Sequence, residues 1–295
     1  MPRLLLALVF TLCSLVSAHA QIEVSVELPR RAYLRGESID LKVTIRNLSG
    51  HDLVFSDADG RRWFGFEVVR GRDTPLGPLD PNYANPPTTI LAGESVERTV
   101  DLLRLFPINE HDSYKIRAAI YSAEFKKFFT SDEGNVDISE GKILWRQTAG
   151  VPEGKEAAGE LREFSLVLFQ KPKSLELYVR VEDETTRNCL ATYPVGKMIA
   201  GSTPVTELSS ENTLYVLHMN APSQYALSKV GINGEWMGQS LWASSTGRAV
   251  VRRKPSGDMV IVGAQRIREA TAAGAAIIPK LSDRPVIVPA GPKGR

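Results

Sequence analysis

The stretch IEVSVEL, residues 22–28, decides the fold class, because it places an apolar side chain at every second position. In a β-strand successive side chains point to opposite faces, so this pattern predicts a strand with one buried face. Pro29 follows directly, and a proline removes a backbone donor and ends such a strand. The chain therefore opens its ordered part as β-structure.

The same alternation recurs along the first half of the chain. Further strands are predicted in IDLKVTIRN (39–47), FGFEVVR (64–70), ESVERTVDLL (94–103), SYKIRAAIY (113–121) and NVDIS (135–139). Asn47-Leu48-Ser49-Gly50 and Ala92-Gly93 supply turn chemistry between strands. Several short strands with turns between them and no helical stretch predict an antiparallel β-sandwich over residues 21–145.

Two stretches of this half carry a family resemblance. YLRGESIDLKVTIRNLSG (33–50) resembles the opening of bacterial extracytoplasmic immunoglobulin-like domains, and DSYKIRAAIY (112–121) is similar to the penultimate strand of that fold. The resemblance covers residues 22–140 and implies an immunoglobulin-like sandwich with a tyrosine corner at Tyr114, although Ser113 stands where the family has glycine. Macroglobulin-type and proteinase-inhibitor-like domains share the pattern, so it also implies protease inhibition as an alternative function.

A proline-rich segment interrupts the predicted strands. GRDTPLGPLDPNYANPPTT (71–89) contains five prolines, which fix the backbone φ angle and remove donors. The composition predicts an extended, irregular excursion between two strands. It is either a passive crossover or a rigid recognition loop, as a binder or an inhibitor would use.

The second half contains a repeated β-unit. After a Gly- and Glu-rich linker at 146–162, the step Leu-Tyr-Val occurs at 177–179 and again at 214–216, and MVIV (259–262) marks a shorter third copy. The spacing weakly resembles β-propeller blade repeats, and it predicts blade-like antiparallel units over 163–266, arranged as an incomplete propeller or a second sandwich. Leu214 and Val216 should fill a sheet core as Leu177 and Val179 do, with both tyrosines on the opposite face.

The ends of the chain and its charge bear on compartment and partners. Arg3, an apolar run over 4–16 and small residues before Ala20 predict a signal peptide, cleaved after Ala20, and hence a secreted or periplasmic protein. No later stretch is apolar for long enough to span a membrane. Beyond Ala20, 35 basic residues balance 34 acidic ones, which gives no reason to expect a nucleic-acid partner. Residues 267–295 are predicted to be a flexible tail, with a short helix in REATAAGAAI (268–277).

Two acidic clusters partly resemble metal-binding patterns. Asp57 and Asp59 precede Gly60 like the start of a calcium loop, but Arg61 and Val68 stand where that loop needs oxygen ligands, so a turn is predicted. Glu110, His111 and Asp112 are adjacent in a turn and diverge, and no zinc-ligand spacing occurs. The sequence predicts neither a metal nor a cofactor.

Catalytic signals are also missing from the sequence. Cys189 is the sole cysteine beyond residue 20 and is expected to be a small buried hydrophobe. The histidines His51, His111 and His218 leave a hydrolytic triad open, but no G-x-S-x-G motif supports one. His218 matches Val181 in the first copy of the repeat, which predicts a packing or surface role.

Trp236 and Trp242 are six residues apart and would share one face of a regular strand. The pair is either a sugar-stacking platform or, as the commoner outcome, core and interface packing.

Taken together, the sequence leads to the hypothesis of a non-enzymatic, exported binding or structural module of the cell envelope that acts through protein contacts, with no catalytic residues. The alternatives are a proteinase inhibitor using 71–89, and a carbohydrate-binding or hydrolytic β-repeat domain.

Overall fold

The computed structural model describes residues 21–81 and 85–270, and the backbone of Val288 and Pro289. The predicted signal peptide lies outside these residues. Nearly every described element is a strand, and the strands form separate antiparallel sheets with one parallel pair; none of these sheets closes into a barrel. The described part contains no helix with the length and apolar character to cross a bilayer. The prediction of an all-β protein is confirmed.

The first unit runs to residue 139 and contains eleven strands and one turn of 3-10 helix, Leu102–Arg104. The strands are β1 (Ile22–Glu27), β2 (Ala32–Leu34), β3 (Asp40–Asn47), β4 (Leu53–Phe55), β5 (Phe64–Arg70), β6 (Thr74–Leu76), β7 (Thr88–Ile90), β8 (Ser95–Asp101), β9 (Ser113–Ser122), β10 (Lys127–Thr130) and β11 (Gly134–Ser139). One sheet has the order β1-β3-β8 and the other β2-β11-β9-β5-β6, with β10 along β9 and a separate β4-β7 ribbon.

The core of the first unit lies between these two sheets. Alternate residues of β3 and β9 are fully buried in it, as their periodicity predicts. The Tyr114 hydroxyl donates to the Glu110 carbonyl oxygen at 3.0 Å and accepts from the Glu110 N–H at 3.2 Å. This is the hydrogen bond that defines a tyrosine corner. Ser113 in place of glycine therefore does not prevent it.

The second unit begins at residue 142. Its strands are β12 (Lys142–Gly150), β13 (Leu161–Lys171), β14 (Ser174–Asp183), β15 (Cys189–Lys197), β16 (Val205–Leu208), β17 (Leu214–Ala221), β18 (Gln224–Val230), β19 (Trp236–Ala243), β20 (Val250–Arg253), β21 (Met259–Val262) and β22 (Gln265–Ala270). They form the sheets β12-β13-β14-β15 and β16-β17-β18-β19-β22, and a β20-β21 ribbon. The last strand, β23 (Val288–Pro289), pairs with β8 of the first unit.

The two larger sheets of this unit share one core. Leu177 and Val179 enter it from β14, and Leu214 and Val216 enter it from β17; all four are fully buried. The tyrosine of each step points to the outer face, where Tyr178 and Tyr215 join different clusters. The expected orientation of the repeated step is thus confirmed. The copies face each other across a sandwich, and the third copy, β21, belongs to the ribbon instead of a further sheet.

Two predicted boundaries need correction. The linker expected at 146–162 is strand at both of its ends, because β12 ends at Gly150 and β13 starts at Leu161, and the connection between the strands is residues 151–160. As an edge strand β12 is only partly covered, so its sequence alternates weakly. The tail expected from residue 267 begins inside β22, whose backbone pairs with β19 at the edge of the sheet. Residues 268–270, the start of the predicted helix, are therefore strand; 271–277 lie outside the described residues.

The two units meet at a mixed apolar and ionic contact, here called the junction. Leu34 of β2 packs with Val167, Phe169 and Tyr178 of the second unit. Around them lie the ion pairs Arg30–Glu37 (2.5 Å), Arg35–Glu140 (2.7 Å), Arg35–Glu182 (2.6 Å) and Arg180–Glu140 (2.8 Å). Arg180 is 1% and Glu182 2% exposed. Burial raises the pKa of the Tyr178 hydroxyl, which accepts weakly from Arg30 at 3.4 Å.

Candidate binding groove

A groove of about 300 Å³ lies along one open edge of the second sandwich, between the edge strands β12 and β16. Its walls also include the turn before β17 and the end of β20. The residues lining it are Trp145, Gln147, Thr206, Glu207, Leu208, Ser209, Asn212 and Arg253. Apart from Trp145 and Leu208 these side chains are polar, and the two formal charges, Glu207 and Arg253, are of opposite sign.

Strand alternation positions the walls of the groove. Trp145 lies opposite Leu166 in the β12-β13 ladder, and Leu208 lies opposite Leu214 in the β16-β17 ladder. Both therefore sit on the inward face, at the rim of the core, with Trp145 half-buried against it. The groove opens where the core ends, and its accessible surface is almost entirely polar, so a bound group would mainly contact polar atoms.

A turn ties the two walls together. Asn212 has a φ of +56°, a left-handed conformation that asparagine tolerates, and its side-chain amide donates to the Gly150 carbonyl at 2.7 Å. The Ser209 hydroxyl accepts from the Thr213 N–H at 3.1 Å, which closes the same turn. The width of the groove at this end is thereby fixed by hydrogen bonds from one sheet to the other.

The backbone of both walls has unpaired polar groups. Among the described strands, β12 pairs with β13 alone and β16 pairs with β17 alone. Each therefore presents one row of N–H and C=O groups that takes no part in a described sheet. An edge of this kind is a template for a further strand.

The acidic clusters identified in the sequence stay separate structural features. Asp57 accepts from the Trp63 N–H at 3.0 Å, and Asp59 accepts from the Tyr121 hydroxyl at 2.8 Å with a φ of +54°. Both aspartates lie in the connection between β4 and β5, and the second contact attaches that connection to β9. Glu110 forms an ion pair with Arg70 instead of turning towards Asp112. Within the described ranges, no three His, Cys, Asp or Glu side chains are grouped as metal ligands.

The histidines do not assemble a catalytic group. His51 pairs with Glu124 at 2.7 Å on the surface, and His111 is exposed. Across residues 21–81 and 85–267, no histidine ring nitrogen is hydrogen-bonded to a hydroxyl. Cys189 lies at the junction with its sulfur 3.2 Å from the Thr192 hydroxyl, and burial raises the pKa of its thiol.

His218 occupies a core position. It follows Leu214 and Val216 on the inward face of β17, is fully buried, and faces Gly196 of the opposite sheet. Neither ring nitrogen makes a hydrogen bond of normal geometry with a described residue, although the Lys197 backbone lies close enough to act as a weak partner. Burial lowers the pKa of the ring to about 4, and the Lys197 backbone acts in the opposite direction with a smaller effect. Of the roles that the sequence predicts, the structure selects packing.

The tryptophan pair is split between two faces of β19. Trp236 packs on the core of the second sandwich, 5.5 Å from Tyr193, whereas Trp242 packs on the outer cluster and donates to the Ser240 hydroxyl at 2.9 Å. The expectation of one shared face is wrong because the ladder shifts register between these residues, at Gly238 with a φ of +102°. A bulge of this kind moves the following side chains to the other face. The packing interpretation is therefore supported.

The described parts of segment 71–89 are anchored to the first unit. β6 pairs with β5, the Leu79 N–H donates to the Leu105 carbonyl at 2.7 Å, and the Asn85 amide donates to the Phe64 carbonyl at 2.8 Å. Residues 82–84 lie outside the description.

The sequence gives no sign of the groove between β12 and β16, since its residues come from segments some 60 positions apart and follow no motif.

No protein-family model matches the chain, and no curated protein matches it. Among solved structures, one match is the sporulation control protein Spo0M from Bacillus subtilis. It has a TM-score of 0.28 and 9% sequence identity, over 60% of this chain and 90% of that one. A likeness at this level carries no argument about what this chain does.

Proposed function

We propose that this chain is a non-enzymatic binding module of the cell envelope, which holds an extended segment of a partner protein in the groove between β12 and β16. The first sandwich, which the proposal takes to be immunoglobulin-like, acts as a scaffold fixed to the second through the junction. Export directed by residues 1–20 belongs to the same proposal.

The observation that carries the proposal is a groove bordered by two unpaired sheet edges. Addition of a strand to a sheet edge is a recurrent mode of peptide recognition, in which main-chain hydrogen bonds supply affinity and side-chain pockets supply specificity. β12 is nine residues long, which corresponds to about 30 Å of edge. This length suits an extended segment better than a compact small molecule.

The walls of the groove supply the second requirement, which is side-chain selection. Gln147 and Asn212 offer amide donors and acceptors, Thr206 offers a hydroxyl, and the half-buried Trp145 ring lies among them with little accessible apolar surface. An aromatic ring beside amides also suits a carbohydrate. The two unpaired backbone rows favour a peptide, because sugars do not need them.

The test uses a displayed library of random twelve-residue peptides, selected on the full chain without residues 1–20. Enriched peptides are then measured against two variants of the same strand, Gln147→Trp and Thr148→Trp. Gln147 lines the groove, whereas Thr148 is exposed on the opposite face of β12. We expect Gln147→Trp to weaken binding by at least about tenfold, because the indole fills the groove, and Thr148→Trp to bind like the unmodified chain.

Two outcomes contradict the proposal. A library that yields no enriched peptide removes peptide recognition altogether. Peptides that bind both variants equally well place recognition elsewhere on the molecule. A glycan panel run in parallel identifies the carbohydrate alternative, since sugar binding that Gln147→Trp abolishes, with no peptide binding, would assign the groove to that ligand class.

A further inference from the structure

The β20-β21 ribbon brings an unusual set of charges to the groove. Arg253, at the end of β20, is one of the lining residues. The turn that joins the two ribbon strands is closed by the Lys254 N–H, which donates to the Asp258 carbonyl at 2.8 Å, and by the Gly257 N–H, which donates to the Lys254 carbonyl at 2.9 Å. A Cβ atom at Gly257 would lie 3.8 Å from the Ser210 hydroxyl. The tip of the ribbon therefore rests beside the turn that forms one end of the groove.

Four cations of this ribbon have no carboxylate partner. Arg248, Arg252, Arg253 and Lys254 are exposed, and none forms an ion pair with any residue that the structure describes. Asp258, the acidic residue nearest in sequence, accepts from the Ser256 hydroxyl instead. By contrast, the arginines of the junction are all engaged by carboxylates. The ribbon is thus a local excess of positive charge on a chain whose net charge is only +2.

We infer that the extended segment held in the groove is acidic, with carboxylates spaced along it that meet Arg252, Arg253 and Lys254 at the ribbon end. This inference rests on the proposed function and adds the chemistry of the partner. Complementary charge at the rim of an interface raises the association rate and selects partners. An exposed ion pair changes affinity by about 1.4- to 5-fold, so three together give a preference of about 3- to 125-fold, with a central value above about tenfold.

Basic side chains on an exposed ribbon also protect its edges from aggregation. That role alone would not require them beside the groove, and it would produce no preference between peptides. The two explanations therefore differ in a measurable quantity, which is the ratio of affinities for an acidic peptide and its uncharged counterpart.

The probes are two fluorescein-labelled dodecapeptides, one of alternating glutamate and valine and one with glutamine in place of every glutamate. Binding is followed by fluorescence anisotropy in 50 mM and 500 mM sodium chloride. We expect the glutamate peptide to bind at least about tenfold more tightly at low salt, and this preference to collapse at high salt because exposed charges are screened.

The matched variants place the effect on the ribbon. The triple variant Arg252→Gln, Arg253→Gln and Lys254→Gln should lose the preference for glutamate, so that it binds the two peptides with equal affinity. A second triple variant, Arg72→Gln, Lys126→Gln and Lys173→Gln, removes the same charge from exposed positions elsewhere and should behave like the unmodified chain. Since all six side chains are exposed, both variants should fold.

The outcomes separate the inference from the proposed function. Equal affinities for the two peptides overturn the inference and leave peptide binding in place. Failure of both peptides, together with an empty library selection, overturns both. A preference for glutamate that survives the Gln147→Trp change would place acidic binding on the ribbon alone, outside the groove, and would also overturn the inference.

Discussion

His218 makes the second sandwich sensitive to acid, because its ring is fully buried and the effect of burial outweighs the hydrogen bond that the Lys197 backbone offers it. A neutral ring tolerates this position, but a charged ring would lose its hydration with little compensation. The pKa of the ring accordingly falls from an ordinary value near 6.5 to about 4. Between these values the unfolded chain binds a proton that the folded chain does not, so stability is lost as the pH falls from 6.5 towards 4.

The size of this effect follows from the two pKa values. The pKa of the ring is 6.5 in the unfolded chain and about 4 in the folded chain. Because each pKa unit is about 1.4 kcal/mol, the largest loss in the free energy of unfolding on acidification is about 3.4 kcal/mol. Between pH 7 and pH 4.5, where the folded ring is still mostly neutral, the loss is about 2.4 kcal/mol. Solvent does not screen this effect because the His218 side chain is fully buried.

The assay is urea unfolding followed by tryptophan fluorescence at pH 7 and pH 4.5, for the unmodified chain and for His218→Leu. Leucine has a similar volume and cannot be protonated. The free energy of unfolding of the variant, relative to the unmodified chain, should therefore rise by about 2 kcal/mol on acidification, whatever its value at pH 7. His111→Leu, the same change at an exposed site, should stay within about 0.5 kcal/mol at both pH values. Parallel pH dependences for the unmodified chain and His218→Leu would refute the reasoning.

Two further predictions concern the second core and the junction. Leu177→Ala and Leu214→Ala should each lower the free energy of unfolding by about 2–5 kcal/mol in urea titrations, and the loss in the double variant should depart from the sum of the two, since both residues line one core. Strict additivity would contradict a coupling of the two sites through this shared core. Arg35→Ala should destabilise by about 3–5 kcal/mol because it leaves Glu182 buried beside a weaker 3.7 Å contact with Arg187. Arg31→Ala, at an exposed ion pair, is the control and should change the same measurement by no more than about 1 kcal/mol.

Alternation was sufficient to predict the strands that face one core and one solvent surface. Ile39 to Ile45 and Tyr114 to Ile120 alternate in the sequence and alternate in burial. The repeated Leu-Tyr-Val step even predicted which side chains point inward, because a strand of constant register leaves no other choice. Asn233-Gly234 marks the turn between β18 and β19, where Gly234 has a φ of +87°.

The features that escaped prediction depend on contacts between distant segments. β12 has weak alternation because one of its edges is open, and the register shift at Gly238 leaves no signature other than a single glycine. The groove exists only because β12 and β16 end up side by side, which no local pattern specifies. The junction was equally invisible, since Arg180 and Glu182 read as the polar face of an ordinary strand although both are buried.

The two-sided burial of β14 restricts how this chain can be divided. A fragment starting at Lys142 would contain every strand of the second sandwich but would lack the first unit, which covers the junction. It would present Val167, Phe169 and Tyr178 to water, among charges that have lost their ion-pair partners. Such a surface invites self-association. Truncation studies should therefore cut outside the pair of sandwiches, and a partner that binds only the isolated half would be binding a face that the intact protein keeps covered.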